Sequence, residues 1–426
     1  MVMSQLMGCL DEKNIQAILA TQFKDFDIGP VRRGNFFPLL GNGIFTQDGK
    51  EWEHSRAMMR PQFARDQVSD LDLEEQHVQN LMKAITPGNY GWTGVIDLQV
   101  LFFRLTLDSA TEFLFGESVD SQLVDLPGYE KPTDVDPCHD EKIFANAFDK
   151  GQMALATRAR LQDKFWLFRS KDFDKSCQQC HAFIDHFVRL ALSKEHREKE
   201  LEKGQDKEKY IFLEALAAQT QDPIELRSQL LHILLAGRDT TASLLGWLFL
   251  YLSRDPQRYA KLRKIVLENF GSFEDPSEIT FAKLKSCQYL QHCNNEALRL
   301  NPVVPVNSRT ANKDTTLPRG GGPDGKSPIF VPKGRQVDYS VHAMHHRKDI
   351  WGEDAEEFKP ERWEKRRVGW EFLPASLSKS LHQFPLLLLP LKYSLSVLWT
   401  NSILFSSTAD PGSASGNNSP SPKLHM

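Results

Sequence analysis

The chain has 426 residues, of which 40% are hydrophobic and 25% charged, and its net charge is −4. That length can bury a large core in one big domain or two smaller ones, and the composition is that of an ordinary globular protein. The charge supplies no broad basic field, which argues against a nucleic-acid partner. The six cysteines (Cys9, Cys138, Cys177, Cys180, Cys287, Cys293) are too scattered for a disulfide framework.

The apolar run at Met1–Lys13 is short and lacks a basic flank, so it reads as neither anchor nor signal peptide. Asn14–Ala20 is amphipathic at helical spacing. Asp48–Phe63 reads as a loop entering a helix that Pro61 stops. Leu101–Phe115 is dense in apolar residues and reads as buried. Pro127–Pro137, with its prolines and acids, reads as a surface loop. The mixed-charge run Lys194–Lys209 suits a solvated helix end and loop.

A long helix is predicted from Ile224 to about Ser253, introduced by Pro223 and ended by Asp255-Pro256. Thirty residues span about 45 Å, enough to cross a domain. From Val303 short β-leaning pieces appear, Ser308–Thr310, Ile329–Val331 and Gln336–Val341, between Pro and Gly clusters. The fold class is therefore mainly α (α+β), with a small late β region and no internal repeat. The last stretch, Ala375–Met426, is rich in Leu and Ser and closes on a disorder-like segment. Within it, Phe384–Phe405 is apolar but broken by Pro385, Pro390 and Lys392, which argues against a membrane span. The abrupt change of texture points to a frameshift, a retained intron or a misplaced gene boundary.

The central helix carries Ala236-Gly237-Arg238-Asp239-Thr240-Thr241. Gly and paired hydroxyls are poor helix formers, and a carboxylate in an apolar neighbourhood costs energy unless paired or wetted. Local violations of this kind mark functional sites, and an acid beside a hydroxyl can relay protons. The competing reading is a solvent-facing Arg-Asp step on an amphipathic helix.

Glu296 and Arg299 share a helix face at i, i+3, a spacing too common to mean much alone. Phe358-Lys359-Pro360-Glu361-Arg362-Trp363 follows some sixty residues on. Trp52 and Arg56 sit four apart on another helix, as in a cation–π packing pair. Gly320–Ser327 matches a phosphate-loop pattern, but Pro328 and the strand-like Ile329–Val331 follow where a helix is needed, so it reads as a hairpin turn. Cys177/Cys180 lack the second ligand pair of a zinc site. His345-His346 lacks partners in what reads as a loop. No metal site is assigned.

Taken together, the central-helix motif, Glu296–Arg299 and the Pro360–Trp363 segment resemble the cytochrome P450 family of haem-thiolate monooxygenases. The likeness extends from Asp11 to Pro374. Ile18–Phe26, Arg56–Arg65, Leu101–Ser118 and Ala236–Ser243 look most similar to the fungal alkane and fatty-acid hydroxylases. The resemblance implies a helical triangular prism with a small β region, and haem b as cofactor. It implies oxygen insertion into a C–H bond of a lipid-like, aliphatic or secondary-metabolite substrate. Electrons would come from NADPH-cytochrome P450 reductase. Asp239 and Thr240 would handle proton delivery, Trp52, Arg56 and Arg309 would hold the haem propionates, and Glu296, Arg299 and Arg362 would form a structural triad. It further implies a monomer at the endoplasmic reticulum membrane.

The sequence departs from the family pattern at both ends. The N-terminal anchor is absent, which points to a cytoplasmic or peripheral location. Trp370–Pro374 runs into Ala375-Ser376-Leu377-Ser378 where the family has a Gly-rich loop with the iron-binding cysteine, and no cysteine follows Pro374. The expectation is an incomplete P450-like domain over 11–374 and an unrelated tail over 375–426, catalytically inactive as written. The alternatives are an active enzyme with a wrong 3′ gene boundary and a non-enzymatic remnant that binds lipid or a partner.

Overall fold

The computed structural model describes residues 7–63, 71–85, 93–124, 126, 128–129, 140–193, 210–272 and 275–374. The readings of Lys194–Lys209, Phe384–Phe405, the tail over 375–426 and nearly all of Pro127–Pro137 lie outside them. What is described is mostly helical with a small sheet, in agreement with the sequence reading.

The first elements are β1 (Met7–Cys9), α1 (Glu12–Gln16), which continues as a π turn over Ala17–Thr21, and β2 (Phe26–Asp27). Next come α2 (Pro30–Leu40) and α3 (Gly49–Met59); Pro61 lies in the 3-10 turn Arg60–Phe63 that ends α3, where proline was expected to stop it. α4 (Leu71–Ala84), α5 (Leu98–Phe115), α6 (Glu141–Arg160), α7 (Lys171–Leu192) and α8 (Phe212–Ala217) build the helical body around α9 (Pro223–Arg254).

α9 occupies 32 residues because its ends are both specified. Asp222 accepts the backbone N–H of Ile224 at 2.9 Å and Pro223 fills the first helical position. At the far end Asp255 caps the next helix, α10 (Pro256–Phe270), by accepting the Arg258 N–H at 3.0 Å. α9 is long and apolar enough to cross a membrane by length and composition, yet it runs through the protein interior. Leu226, Leu230 and Leu234 join a cluster with α6, α7 and α8, whereas Leu245, Leu248 and Leu252 join a second cluster with α4, α5 and the later helices. A helix apolar on all sides is a core helix.

α11 (Phe281–Ser286) and α12 (Gln288–Leu300) lead into β3 (Val306–Ala311), β4 (Thr315–Gly321), β5 (Ser327–Val331) and β6 (Gln336–Ser340). The main sheet has the order β1-β6-β3-β2, with β1 parallel to β6 and the other pairs antiparallel. β4 and β5 form a separate antiparallel hairpin. Two sequence readings are corrected here. Val341 begins a helix rather than ending a strand, and His345 closes that helix, α13 (Val341–His345), rather than lying in a loop. α14 (Lys348–Trp351) and the 3-10 turn Pro360–Glu364 complete the described chain.

Candidate functional site

A cavity of about 260 Å³ opens where α2, α3, β2 and β3 converge. Trp52 and Arg309, 257 positions apart by their numbers, both line it, together with Arg32, Phe23, Phe26 and Phe45. Arg309 is buried on β3 and donates to the Ser308 carbonyl at 2.7 Å and the Asn307 amide oxygen at 3.3 Å. Trp52 meets Phe23 with ring centroids 5.6 Å apart. Arg56 lies over the Trp52 ring at 5.6 Å, the stacking that their i, i+4 spacing allows. Partial burial, with help from the Arg60 charge, lowers the Arg56 pKa. Trp52 and Arg309 line the cavity together, and Arg56 is not among its lining residues.

On α9, Thr240 donates its hydroxyl to the Ala236 carbonyl one turn back at 2.7 Å. Burial pushes the Asp239 carboxyl up to about 6, against the opposing pull of Arg238 and Gln152. It can therefore hold or release a proton near neutral pH. The solvent-facing reading of the Arg-Asp step does not describe Arg238, which is only 3% exposed. Its guanidinium lies 5.0 Å from the Phe103 ring centre and 5.5 Å from that of Phe148, and it pairs with Asp149 of α6 at 2.5 Å and with Asp239 at 3.4 Å.

Glu296, Arg299 and Arg362 meet in one buried cluster. Arg299 grips Glu296 with two hydrogen bonds of 2.9 Å, and Arg362 Nε reaches the same carboxylate at 2.8 Å. The other Arg299 donors hold the carbonyls of His345, Ala355 and Glu357 at 2.8, 2.7 and 3.2 Å. One guanidinium thus ties α12 to α13 and to the segment before Arg362, the use to which a planar five-donor fork is suited. Behind it, His345 Nδ1 faces the Arg299 carbonyl at 3.1 Å while Nε2 accepts the Leu373 N–H at 3.0 Å. Sequence reasoning missed this histidine; a lone His-His pair carries no signal of such a role.

The remaining candidates are accounted for by packing. Cys177 and Cys180 lie buried on α7, and burial pushes both thiols up, Cys177 to about 12. Gly320–Ser327 spans the β4–β5 turn, with a strand after it. Among the described residues no group of three or more His, Cys, Asp or Glu is arranged to hold a metal.

The profile of the cytochrome P450 family matches residues 3–384. The chain belongs to the cytochrome P450 family. It is 66% identical over 367 residues to a cytochrome P450 monooxygenase of a Fusarium species, covering 85% of this chain and 64% of the relative. It is 49% identical over 369 residues to cytochrome P450 52A12 of Debaryomyces hansenii (85% and 69% covered) and 50% identical over 376 residues to cytochrome P450 52A5 of Candida maltosa (87% and 69%). The chain spans about two thirds of the length of these curated relatives.

The cytochrome P450 family implies haem. Trp52, Arg309 and Arg32 line a cavity with Phe23, Phe26 and Phe45, and are a donor set that fits the carboxylate edge of a porphyrin, although Asp27, Asp48 and Glu53 also line it. For the iron, Cys287 and Cys293 do not line this cavity; they are buried in the core beside Leu290, and burial pushes both thiols up. No cysteine follows Cys293 in the sequence.

Proposed function

We propose that this P450 descends from an enzyme that inserts one oxygen atom into a C–H bond of a long aliphatic or lipid-like substrate, and that the chain as given does not carry out that reaction. When bound, haem supplies the activation of dioxygen. Around it, Trp52 and Arg309, with Arg56 stacked behind Trp52, would orient the porphyrin through its propionates. Asp239, poised near neutral pH by burial, would take up a proton from the solvent side and hold it at its carboxylate beside the Thr240 hydroxyl. Glu296, Arg299 and Arg362 fix the scaffold beneath and take no part in the chemistry. NADPH-cytochrome P450 reductase is the electron donor in this reading, and the family's endoplasmic reticulum membrane its location, with a monomeric chain.

The reading of inactivity is carried by one observation: the 52 residues after Pro374 contain no cysteine, so no thiolate from that segment can bind iron. The absorption spectrum of the reduced, carbon-monoxide-treated protein with haem supplied tests it. Loss of the strongly red-shifted Soret band is expected; its presence would overturn the reading. A second reading, an active monooxygenase whose gene continues differently after the Pro374 codon, is favoured by the abrupt change of composition at Ala375. Genomic sequence encoding a Gly-rich cysteine loop in another frame would establish it.

A further inference from the structure

His346, read from the sequence as a residue without partners, has two in the fold. It follows the last residue of α13. Its Nδ1 lies 2.7 Å from the His342 carbonyl one turn back, and since a carbonyl only accepts, that nitrogen carries the proton. In the neutral ring Nε2 then keeps its lone pair, and it faces the Glu356 carboxylate at 3.6 Å. Two acceptors that face each other at this distance suit a cation between them. Zinc bonds of about 2.0–2.1 Å to nitrogen and about 2.0–2.2 Å to oxygen, opened to a tetrahedral angle, put the two atoms about 3.4 Å apart.

A second imidazole stands alongside. His342 lies four positions earlier, with the ring centroids 4.1 Å apart, and this is the spacing by which two histidines on a helix share one metal ion. Burial, and after it the His346 ring, lowers the His342 pKa, which keeps the ring neutral at pH 7, as a ligand must be. A hydrogen bond to the Leu300 backbone steadies it, the outer contact that metal-binding histidines make.

The backbone beneath is fixed. Arg299 holds the carbonyls of His345, Ala355 and Glu357 from the inside at 2.8, 2.7 and 3.2 Å, so the segments that carry His346 and Glu356 are locked to each other. The neighbouring cations are engaged elsewhere, Arg347 with Asp349 at 2.5 Å and Lys348 with Glu353 at 2.9 Å. As they stand, the three side chains do not converge on one point. Glu356, with its side chain 69% exposed, and the exposed His342 have room to turn towards an ion at His346 Nε2.

We propose that His342, His346 and Glu356 bind a divalent transition-metal ion of the zinc class, with water completing its coordination. The ion braces α13 to the segment before Arg362 from the outer side, opposite the hold of Arg299. None of the three residues lines the cavity, so the site does not depend on haem.

The test titrates zinc chloride into the full chain near neutral pH, in competition with a zinc-sensitive dye. Wild type is compared with His342→Gln, His346→Gln, Glu356→Gln and the control His54→Gln, whose Nε2 meets Glu225 at 2.8 Å, too close to admit an ion. Loss of an outer contact alone costs about 10–100-fold in metal affinity, so each His342 or His346 variant is expected to weaken the tightest zinc site by about a hundredfold. Glu356→Gln should weaken it by about tenfold, and His54→Gln should match wild type. Saturating zinc should raise the urea midpoint of wild type and not that of His346→Gln, because an ion held only by the folded state stabilises it. Unchanged affinity in His346→Gln or Glu356→Gln, an equal loss in His54→Gln, or no zinc binding by wild type at about 100 μM would overturn the site. An unmoved midpoint in zinc-loaded wild type would overturn the brace.

Discussion

Glu296 Oε1 and Arg362 Nε meet at 2.8 Å across 66 positions of sequence, and the Glu296 side chain is fully shielded from solvent. The same carboxylate also accepts from Arg299 twice, from the Trp363 indole and from the Lys359 N–H. A buried charge with this many donors is stabilising only while the set is complete.

Glu296→Gln removes the shared counter-charge of two guanidiniums in the interior. The expected cost is about 3–5 kcal/mol, read as a lower urea midpoint with an unchanged slope. Arg299→Lys should also destabilise, since an ammonium cannot replace the donors that hold His345, Ala355 and Glu357. A near-wild-type midpoint for Glu296→Gln would mean that the cluster does not hold the fold.

Asp239 is expected to titrate with a midpoint near 6, well above the usual carboxylate range, because of burial. Carboxyl infrared difference spectra of wild type against Asp239→Asn would show it. The raised value means the folded state retains this proton between about pH 4 and 6, so stability from this group declines as pH rises through that window. Since Arg238 pulls the value down, Arg238→Gln should move the midpoint upward. A midpoint near 4 in wild type would contradict the geometry.

Burial pushes His232 and His345 down to about 3, each neutral in the folded protein. Unfolded histidine titrates near 6.5. Their contribution is therefore complete above that pH and is lost as pH falls towards 3, by about 1.4 kcal/mol per pH unit for each. His345→Gln should shallow the acid limb of stability against pH by one proton. An unchanged limb would place the proton uptake elsewhere.

Gly320–Ser327 is expected to bind no nucleoside triphosphate. Titration with magnesium ATP at about millimolar concentration should give no heat, and Lys326→Ala should leave stability within about 0.5 kcal/mol of wild type. The backbone N–H of Lys326 is bonded to Asp324 within the turn, and a strand follows it.

The limits of α9 were legible to within a residue or so because Asp222-Pro223 and Asp255-Pro256 are chemically explicit stop and start signals. β4 carried no such signal. Thr315–Gly321 contains Pro318 and two glycines, and only its pairing with β5 makes it a strand. β2 is two residues long and exists through its partner β3. Glu296 and Arg299 could be paired by spacing, whereas the arrival of Arg362 needed a family resemblance. Arg32 was not readable at all: Arg32 and Arg33 are adjacent and identical in type, yet one lines a cavity while the other is exposed. That difference is made by Gly29 lying against Thr310, a contact between segments 281 positions apart by their numbers.

The bond from Leu373 N–H to His345, with Phe372 at ring-centroid distances of 5.3 Å from His345 and 4.6 Å from Trp363, anchors the chain just before Pro374. The described chain is thus pinned to the body up to the residue before Pro374. This makes the protein a ready acceptor for splicing. A Gly-rich cysteine loop could be grafted at that junction, and gain of a thiolate spectrum by the graft would show that the host body still holds haem.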